Sequence, residues 1–269
     1  MTEIETRRIP GPPELCIDIA GNAGEVVLFL HGIGGNRTNW RDQLLALAPQ
    51  YTAVAWDARG YGESADYEGD LRMEDFAADI LRVLDAMGAE RAHLVGLSMG
   101  GMLVQDFYAR HPERVRSLAL CDTSRGPRTE HSDAWVEEFL ALRRAPLLAG
   151  KTPAEIAPKV AESLLGSRAT EEMRARLVAS LSALHPESYL KTLETVTRYH
   201  PILTLAEVAV PTLVIVGEDD RLTPPHASEV LARGIPGARL EVLPGAGHLS
   251  NIEAPVAFNA ALLGFLRAI

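Results

Sequence analysis

The sequence has little of what would tie it to a membrane or an oxidising compartment. Two cysteines in 269 residues are too few for a disulfide framework, and their separation fits no metal-binding motif. No apolar run reaches the roughly 18 residues of a membrane span, and the first residues lack the apolar region of a signal peptide. We therefore expect a cytoplasmic protein whose thiols, Cys16 and Cys121, stay reduced and buried.

Positive charge is also scarce. The formal net charge is −10, whereas nucleic acids and anionic membranes both require a basic surface on their partner. The composition therefore argues against these partners and leaves a small molecule as the expected one. A local basic pocket for an anionic substrate is compatible with this charge, and the sequence leaves open whether the protein is a monomer or a homodimer.

Hydrophobic residues, at 47% of the chain, occur in short runs that alternate with helical patterns. The runs are almost continuously apolar, which is typical of strands buried on both faces of a parallel sheet. They are Val26–Leu30, Ala53–Trp56, His93–Val95, Leu118–Cys121, Leu213–Val216 and Leu240–Leu243. From Phe76 to Met87 apolar residues recur at helical spacing, and Gly88 follows as a helix C-cap. The alternation predicts an open, mostly parallel α/β sheet.

This pattern breaks between about Arg125 and His200, where no strand run is found. The segment instead predicts four helices, over Ala134–Arg144, Pro153–Leu165, Glu171–Ala183 and Glu187–Tyr199. Roughly 75 residues is far more than a crossover between strands needs. We therefore predict a core formed by residues 1–124 and 200–269, and a helical cap, residues 125–199, inserted over the C-terminal edge of the sheet.

The segment after the third run contains Gly-x-Ser-x-Gly, with Ser98 between Gly96 and Gly100. A strand run precedes this motif and a helical pattern follows it, which is the setting of a nucleophile elbow. The glycines are needed because side chains there would clash with a sharp, strained strand-to-helix turn. At a helix N-terminus, backbone amides and the positive end of the helix dipole face a developing oxyanion. Ser98 is therefore the predicted nucleophile.

A serine hydroxyl needs a neighbouring base to take its proton. Of the eight histidines, His248 has the most suitable setting, because it lies in a glycine-rich loop directly after the last strand run. The acid that orients the base is expected just past another strand. Asp219 and Asp220 follow one run and Asp122 ends another, so the residues alone leave three candidates for the acid.

A second glycine-rich loop, over residues 31–35, follows the first strand run. A loop in this place can present a backbone amide opposite the amide that follows the nucleophile. We therefore predict that the amides of Ile33 and Met99 form an oxyanion hole. The loop over residues 56–64 resembles a phosphate cradle but lacks the glycine and lysine pattern of one. We interpret it as structural, with Asp57 and Arg59 tying loops together.

Five ordered motifs resemble the α/β-hydrolase superfamily over nearly the whole chain. They are HGIGGNRTNW, WDARGYGES, GLSMGG, GEDDRLTPP and GAGHLSNIEAP. Within that superfamily the sequence is most similar to 3-oxoadipate enol-lactonase-like hydrolases, through segments that include GLSMGGM, PTLVIVGEDDRLTPP and HLSNIEAP. Two positions depart from these enzymes: the dipeptide His31-Gly32 differs, and Asp122 replaces an asparagine.

The resemblance implies an α/β-hydrolase fold, with a mostly parallel eight-stranded sheet and a helical cap. It also implies that the enzyme uses no metal or other cofactor and acts on a lactone or ester. Among the candidate acids it favours Asp220, the fourth position of Gly-x-x-Asp. The resulting order of serine, acid and histidine along the chain is that of α/β hydrolases.

The activity expected from these residues is hydrolysis of a small carboxylic ester or lactone. It would proceed by two-step acyl transfer through Ser98, His248 and Asp220. Carbon–carbon bond hydrolases and cofactor-free perhydrolases use the same triad and stay as alternatives. A non-catalytic ligand receptor on the same scaffold is a further alternative, whereas dehalogenases and epoxide hydrolases of this fold need an aspartate where Ser98 stands.

The helical cap is expected to select the substrate. A buried substrate carboxylate would need a cation, and the cap offers Arg125, Arg128, Arg143 and Arg144. Three aromatic side chains, Trp135, Phe139 and Tyr189, are available for an apolar wall. From these sets the candidates for substrate binding are Trp135 and Arg144.

Overall fold

The computed structural model describes residues 3–269, apart from the side chain of residue 130. The eight strands in these residues are β1 Ile4–Ile9, β2 Leu15–Ala20, β3 Val26–Leu30, β4 Thr52–Asp57, β5 Ala92–Leu97, β6 Val115–Cys121, β7 Thr212–Gly217 and β8 Arg239–Leu243. They form one sheet in the order β1-β2-β4-β3-β5-β6-β7-β8. Strand β2 is antiparallel to both neighbours, and all pairs from β4 to β8 are parallel. The predicted mostly parallel α/β sheet is confirmed.

Strands β1 and β2 have no counterpart among the predicted runs. Strand β1 lies at the sheet edge and exposes most of its side chains, so its sequence lacks an apolar run. Strand β2 is buried throughout, but Asp18 interrupts its apolar sequence. That carboxylate is paired, since it accepts hydrogen bonds from the Thr6 hydroxyl at 2.7 Å and from the Arg37 guanidinium at 2.9 Å.

Helices flank the sheet and fill the segment between β6 and β7. They are α1 Arg41–Leu47, α2 Met73–Ala86, α3 Met99–Arg110, α4 Pro127–Glu130, α5 Asp133–Leu148, α6 Pro153–Leu164, α7 Glu171–Ser182, α8 Pro186–Thr197, α9 Pro225–Gly234, α10 Ser250–Glu253 and α11 Pro255–Leu266. Helix α5 continues beyond its predicted end at Arg144, because Pro146 lies near the helix end and removes one hydrogen bond without ending the helix. Among residues 3–269, no helix has the length and apolarity to span a membrane.

The parallel strands bring distant parts of the chain to one edge of the sheet. All residues of β3, β5 and β7 are buried, so these strands form the centre of the core. Because parallel strands share a direction, the loops that leave their carboxyl ends meet at the same edge. That edge therefore receives the loop over residues 31–35 and the residues Ser98, Asp122, Asp220 and His248.

The loop over residues 56–64 has the structural role expected from its sequence. The buried Asp57 carboxylate accepts hydrogen bonds from the backbone amides of Arg37 at 2.7 Å and Glu63 at 2.8 Å. The Arg59 guanidinium donates to the Asp79 carboxylate of α2 at 2.7 Å. Asp57 and Arg59 thus hold three segments of the chain together beside the sheet edge.

The close approach of α3 to the sheet predicts a specific effect of Gly100→Ala. A Cβ atom at Gly100 would lie 2.1 Å from the backbone oxygen of Leu30, so strand or helix must shift. We expect a loss of about 1–3 kcal/mol of unfolding free energy, as for other overpacked sites. Urea unfolding followed by circular dichroism measures this loss.

Gly264→Ala is the matched control, since Gly264 is also a helical glycine and a Cβ atom there meets nothing within 4 Å. This variant should keep or slightly raise stability, because alanine favours a helix more than glycine does. Equal stabilities of the two variants would contradict the packing of α3 against β3.

Candidate active site

Ser98 lies on the sharp turn between β5 and α3, as its motif predicts. Its φ of 54° and ψ of −116° place it in a backbone region that few residues other than glycine adopt. A Cβ atom at Gly96 would lie 2.2 Å from the Gly100 carbonyl oxygen, which explains why this motif needs glycine before the serine. Leu97 and Met99 are buried on either side, whereas Ser98 is partly exposed. The turn therefore presents the hydroxyl outside the sheet.

His248 and Asp220 form a buried pair. His248 Nδ1 lies 2.8 Å from Asp220 Oδ2, and both side chains are almost completely buried. The Asp220 carboxylate also accepts hydrogen bonds from the amides of Leu222 at 2.8 Å and Thr223 at 3.0 Å, and from the Thr223 hydroxyl at 2.8 Å. These contacts fix the carboxylate and, through it, the plane of the imidazole.

The two groups shift each other's pKa in opposite directions. Burial alone would raise the pKa of Asp220, but the charge of His248 and hydrogen bonds from His248 and Thr223 hold it below its ordinary value. Burial alone would lower the pKa of His248, but the Asp220 carboxylate outweighs burial and raises it. The pair therefore keeps Asp220 ionised and stabilises a positive charge on His248.

The two alternative acids bind other groups. The fully buried Asp122 accepts hydrogen bonds from the Gly217 amide at 2.8 Å and the Ser250 hydroxyl at 2.5 Å. Burial and the neighbouring charge of Asp220 raise the pKa of Asp122 to about 8. Asp219 accepts a hydrogen bond from the amide of Ser167 at 2.8 Å. Of the three candidates, the described structure places Asp220 alone in hydrogen-bond contact with His248.

The amides expected to form an oxyanion hole lie beside Ser98. Ile33, Met99 and Ser98 line one cavity, and neither amide donates a hydrogen bond to an acceptor within residues 3–269. Met99 is the first residue of α3, so its amide lies at the positive end of a helix dipole. Among the described residues, both amides are therefore without an acceptor at the cavity that Ser98 lines.

His31 holds the loop that carries Ile33. Its Nε2 accepts a hydrogen bond from the Ala58 amide at 3.1 Å, so the neutral ring donates from Nδ1 to the Gly32 carbonyl oxygen at 2.8 Å. Burial lowers the pKa of His31, which favours that neutral form. The histidine of the first glycine-rich motif thus links the loops after β3 and β4.

The cavity at the sheet edge has two lobes. The serine lobe is lined by Ser98 and Met99 together with Met102, Thr123, Ser124 and Trp135, among others. The histidine lobe is lined by His248, Arg143, Val160, Leu164, Leu181 and Tyr189. Four residues border both lobes, namely Ile33, Phe139, Leu193 and Leu222. A third recess is lined by both Ser98 and His248, so the predicted nucleophile and base open onto a common space.

The Ser98 hydroxyl makes no hydrogen bond with the described residues, so its contact with His248 is not formed in this structure. Hydrogen bonds between a nucleophile and its base are often long or absent without substrate. His248 is oriented independently of Ser98, since its backbone amide donates to the Leu164 carbonyl of α6 at 2.8 Å. The histidine is therefore fixed by Asp220 on one side and by the helical segment on the other.

The structure places one of the two predicted substrate-binding residues at the cavity. Trp135 lines the serine lobe. Arg144 does not line either lobe, and its guanidinium pairs with Glu194 of α8 at 2.7 Å. Successive residues of a helix point about 100° apart, so the neighbouring Arg143 lines the histidine lobe instead.

Two further residues hold the site together and were not predicted. Thr223 supports Asp220 through its amide and hydroxyl. The buried Glu253 carboxylate accepts hydrogen bonds from the amides of Gly166 at 2.7 Å and Leu249 at 3.2 Å, and thereby joins the segment after α6 to the loop of His248. Their partners are distant in sequence or belong to the backbone, so no motif marks them.

A strained serine between strand and helix, above an eight-stranded sheet of this order, defines the class of the α/β hydrolases. A model of the α/β-hydrolase fold matches residues 25–255, and the chain belongs to that family. Curated relatives are named as hydrolases, so this protein is an enzyme of the hydrolase type. The sequence-based recognition of the family is confirmed.

Two relatives and one solved structure illustrate the family. The chain is 32% identical over 268 residues to the RutD protein of Azorhizobium caulinodans, named as a proposed carbamate hydrolase, covering 96% of this chain and 97% of that protein. It is 27% identical to 3-oxoadipate enol-lactonase 1 of Acinetobacter baylyi, over the full length of both. A thermophilic esterase from Thermogutta terrifontis, solved with malate bound, is similar in structure with a TM-score of 0.88 at 29% identity, covering 98% of both chains.

The contact between His248 and Asp220 predicts a change in titration when the acid is neutralised. In the unmodified protein we expect the pKa of His248 to lie above its ordinary value, and Asp220→Asn should lower it because an attractive charge is lost while burial remains. NMR titration of the imidazole resonances measures this, with His248→Gln to assign the signal.

Asp219→Asn is the control for this titration, since Asp219 is adjacent in sequence but bonded to Ser167. It should leave the pKa of His248 within a few tenths of its original value. If Asp219→Asn and Asp220→Asn shift the titration equally, the pairing described here is wrong.

Proposed function

We propose that this protein is a serine hydrolase that cleaves a small carboxylic ester or lactone through an acyl-enzyme on Ser98. The observation that carries the proposal is the convergence of the buried His248–Asp220 pair with Ser98 and two unused backbone amides on one cavity. Each of these groups has a distinct part in acyl transfer, and together they comprise the set that the reaction requires.

In the first step, Ser98 Oγ attacks the carbonyl carbon while His248 Nε2 accepts the hydroxyl proton. Negative charge moves to the carbonyl oxygen, where the amides of Ile33 and Met99 donate hydrogen bonds to it. Asp220 stabilises the imidazolium that forms, consistent with its raising of the pKa of His248. The bond to the leaving oxygen then breaks, and His248 passes the proton to that oxygen.

In the second step, a water molecule takes the place of the leaving group. His248, now neutral, accepts a proton from this water as its oxygen attacks the acyl carbon. The bond between Ser98 Oγ and the acyl carbon breaks, and Ser98 regains its proton from His248. The products are a carboxylic acid and an alcohol, or one hydroxy acid when the substrate is a lactone.

A small substrate fits the shape of the site. The serine lobe has a volume of about 90 Å³, which is the space of a few water molecules. Its lining is mostly apolar, and Trp135 lies on its wall. We assign substrate selection to the helical cap, residues 125–199, because it supplies seven of the ten residues that line the histidine lobe and seven of the fifteen that line the serine lobe.

The names of the similar proteins all indicate an acyl compound as substrate, but they differ in the kind of acyl compound. Their names point to an enol-lactone, a carbamate and an ester, and in all three the bond is broken at an acyl carbon. The similarity to the esterase and to the enol-lactonase supports an ester or lactone as the substrate. The similarity to RutD makes a carbamate the second candidate. Hydrolysis of a carbamate would use the same first step, with an amine or alcohol as the leaving group.

The nucleophile is tested by Ser98→Ala with p-nitrophenyl acetate as substrate. Loss of the attacking oxygen should lower kcat by roughly 10⁴- to 10⁶-fold, as for removal of a triad serine in other hydrolases. Product release is followed at 400 nm, roughly the absorption of the nitrophenolate, with circular dichroism to show that the variant is folded.

Ser124→Ala is the control, because Ser124 lines the same lobe and its hydroxyl accepts a hydrogen bond from the Gly126 amide at 3.0 Å. It should keep kcat within a few-fold. Near-native turnover by Ser98→Ala would refute the proposed role of Ser98. Parallel assays with a carbamate, a vinylogous diketone and hydrogen peroxide separate ester hydrolysis from carbamate cleavage, carbon–carbon bond cleavage and perhydrolysis.

A further inference from the structure

Helix α5 presents a stacked row of side chains along the cavity. His131 precedes this helix and stacks on Trp135 with ring centroids 3.7 Å apart, and Trp135 stacks on Phe139 at 4.9 Å. The Arg143 guanidinium lies over the other face of Phe139, 5.2 Å from its centroid. Residues four apart share one face of a helix, so the row runs from the serine lobe to the histidine lobe and ends in a cation.

Arg143 stacks on an aromatic ring, and no carboxylate among the described side chains pairs with it. The other three arginines considered above as partners of a substrate carboxylate have partners in the protein: Arg128 pairs with Asp133, Arg144 pairs with Glu194, and Arg125 donates to the Leu203 carbonyl. Among the described side chains, none forms a hydrogen bond or an ion pair with Arg143. Its stacking fixes the plane of the guanidinium but leaves the N–H donors at its edge free for a ligand.

A second donor borders the same lobe. Tyr189 is almost completely buried, and Arg143 is close enough to lower the pKa of its hydroxyl, although burial has the larger effect and raises that pKa overall. Within residues 3–269 the Tyr189 hydroxyl has no hydrogen-bond partner. The remaining wall is apolar except for His248. Arg143 is half-buried, and the complement of two donors in an apolar lobe is a negative charge, because a carboxylate that leaves water for such a lobe needs a cation and hydrogen-bond donors.

The position of this lobe determines which end of a substrate would carry that charge. Ser98 and the oxyanion amides border the serine lobe, so the acyl group lies there during reaction. His248 borders the histidine lobe, and it delivers the proton to the leaving oxygen. The leaving group therefore extends into the lobe that contains Arg143 and Tyr189.

We propose that Arg143, with Tyr189, binds a carboxylate on the leaving-group side of the substrate, so that the preferred ester is an acylated hydroxy acid. This assignment rests on the proposed function, since it uses His248 to mark the leaving group. The acyl carbon is transferred to Ser98 Oγ, the bond to the hydroxy acid oxygen breaks, and that oxygen takes the proton from His248. The hydroxy acid leaves with its carboxylate unchanged.

Matched substrates test the side on which the charge is recognised. 3-Acetoxypropanoate and 3-acetoxypropanamide share an acyl group and differ only in the charge of the leaving group. Monomethyl succinate and methyl succinamate place the same difference on the acyl side. The native enzyme should favour the first acid over its amide in kcat/KM by about 10- to 100-fold, as expected for a charge-assisted hydrogen bond, and should show no such preference in the second pair.

Arg143→Met should abolish the preference within the first pair by lowering kcat/KM for 3-acetoxypropanoate to about that for 3-acetoxypropanamide, because methionine replaces the packing but not the charge. Tyr189→Phe should lower the preference by less. Arg144→Met is the control from the same helix, and it should keep the preference. An unchanged preference in Arg143→Met, or a preference that follows the acyl side, overturns the proposal and leaves Ser98 chemistry intact.

Binding provides a readout that does not depend on turnover. Calorimetry with 3-hydroxypropanoate and 3-hydroxypropanamide should show tighter binding of the acid to the native enzyme, and a loss of at least ten-fold in Arg143→Met but not in Arg144→Met. If this loss of binding occurs while neither ester is hydrolysed, the result supports the anion site and refutes the proposed hydrolysis. Equal binding of acid and amide to the native enzyme overturns the anion site.

Discussion

The arrangement of this site depends on one strained turn. Ser98 has a positive φ between a buried strand and a buried helix, and such a conformation costs about 1–3 kcal/mol. This conformation persists because hydrogen bonds hold the backbone of Ser98 on both sides. The Ser98 amide donates to the Cys121 carbonyl at 2.9 Å, and the Thr123 hydroxyl donates to the Ser98 carbonyl at 2.7 Å. The same turn exposes the hydroxyl, and it leaves the Met99 amide at the start of α3 without an acceptor among residues 3–269.

The rest of the site follows from the direction of the strands. Asp122, at the end of β6, also has a positive φ, and its carboxylate joins Gly217 to Ser250. It thereby fixes the start of the loop of Asp220 relative to the residues after His248. On the other side, the Leu164 carbonyl of the helical segment accepts the His248 amide. The base is thus positioned jointly by the sheet edge and by the helices that cover it.

Much of this could be predicted, because the main signals are local. The serine between two glycines follows one strand run, and the acid and the histidine follow later runs. Each of these residues therefore marks the end of a strand, and parallel strands bring those ends together. The sheet was predicted except for β1, which is largely exposed, and β2, where the buried Asp18 interrupts the apolar sequence. Asp220 was separated from Asp219 and Asp122 by family resemblance, and the geometry agrees with that choice.

The walls of the cavity could not be predicted in the same way. Arg143 and Arg144 are chemically identical and adjacent, and only the packing of α5 against α8 decides that Arg144 meets Glu194 while Arg143 faces the histidine lobe. The contacts of Glu253 with backbone amides have no sequence signature at all. The sequence therefore indicates which groups lie at the strand ends, whereas the residues that line the cavity depend on how the helices between β6 and β7 are rotated.

In the proposed reaction, Ser98 is the nucleophile and is activated by His248 and Asp220. The most direct measurement is the intact mass of the protein after reaction with diethyl p-nitrophenyl phosphate, followed by peptide mapping of the adduct. We predict one diethylphosphoryl group per chain, on Ser98, and none on Ser98→Ala. An adduct on another residue, or equal labelling of Ser98→Ala, would contradict the account.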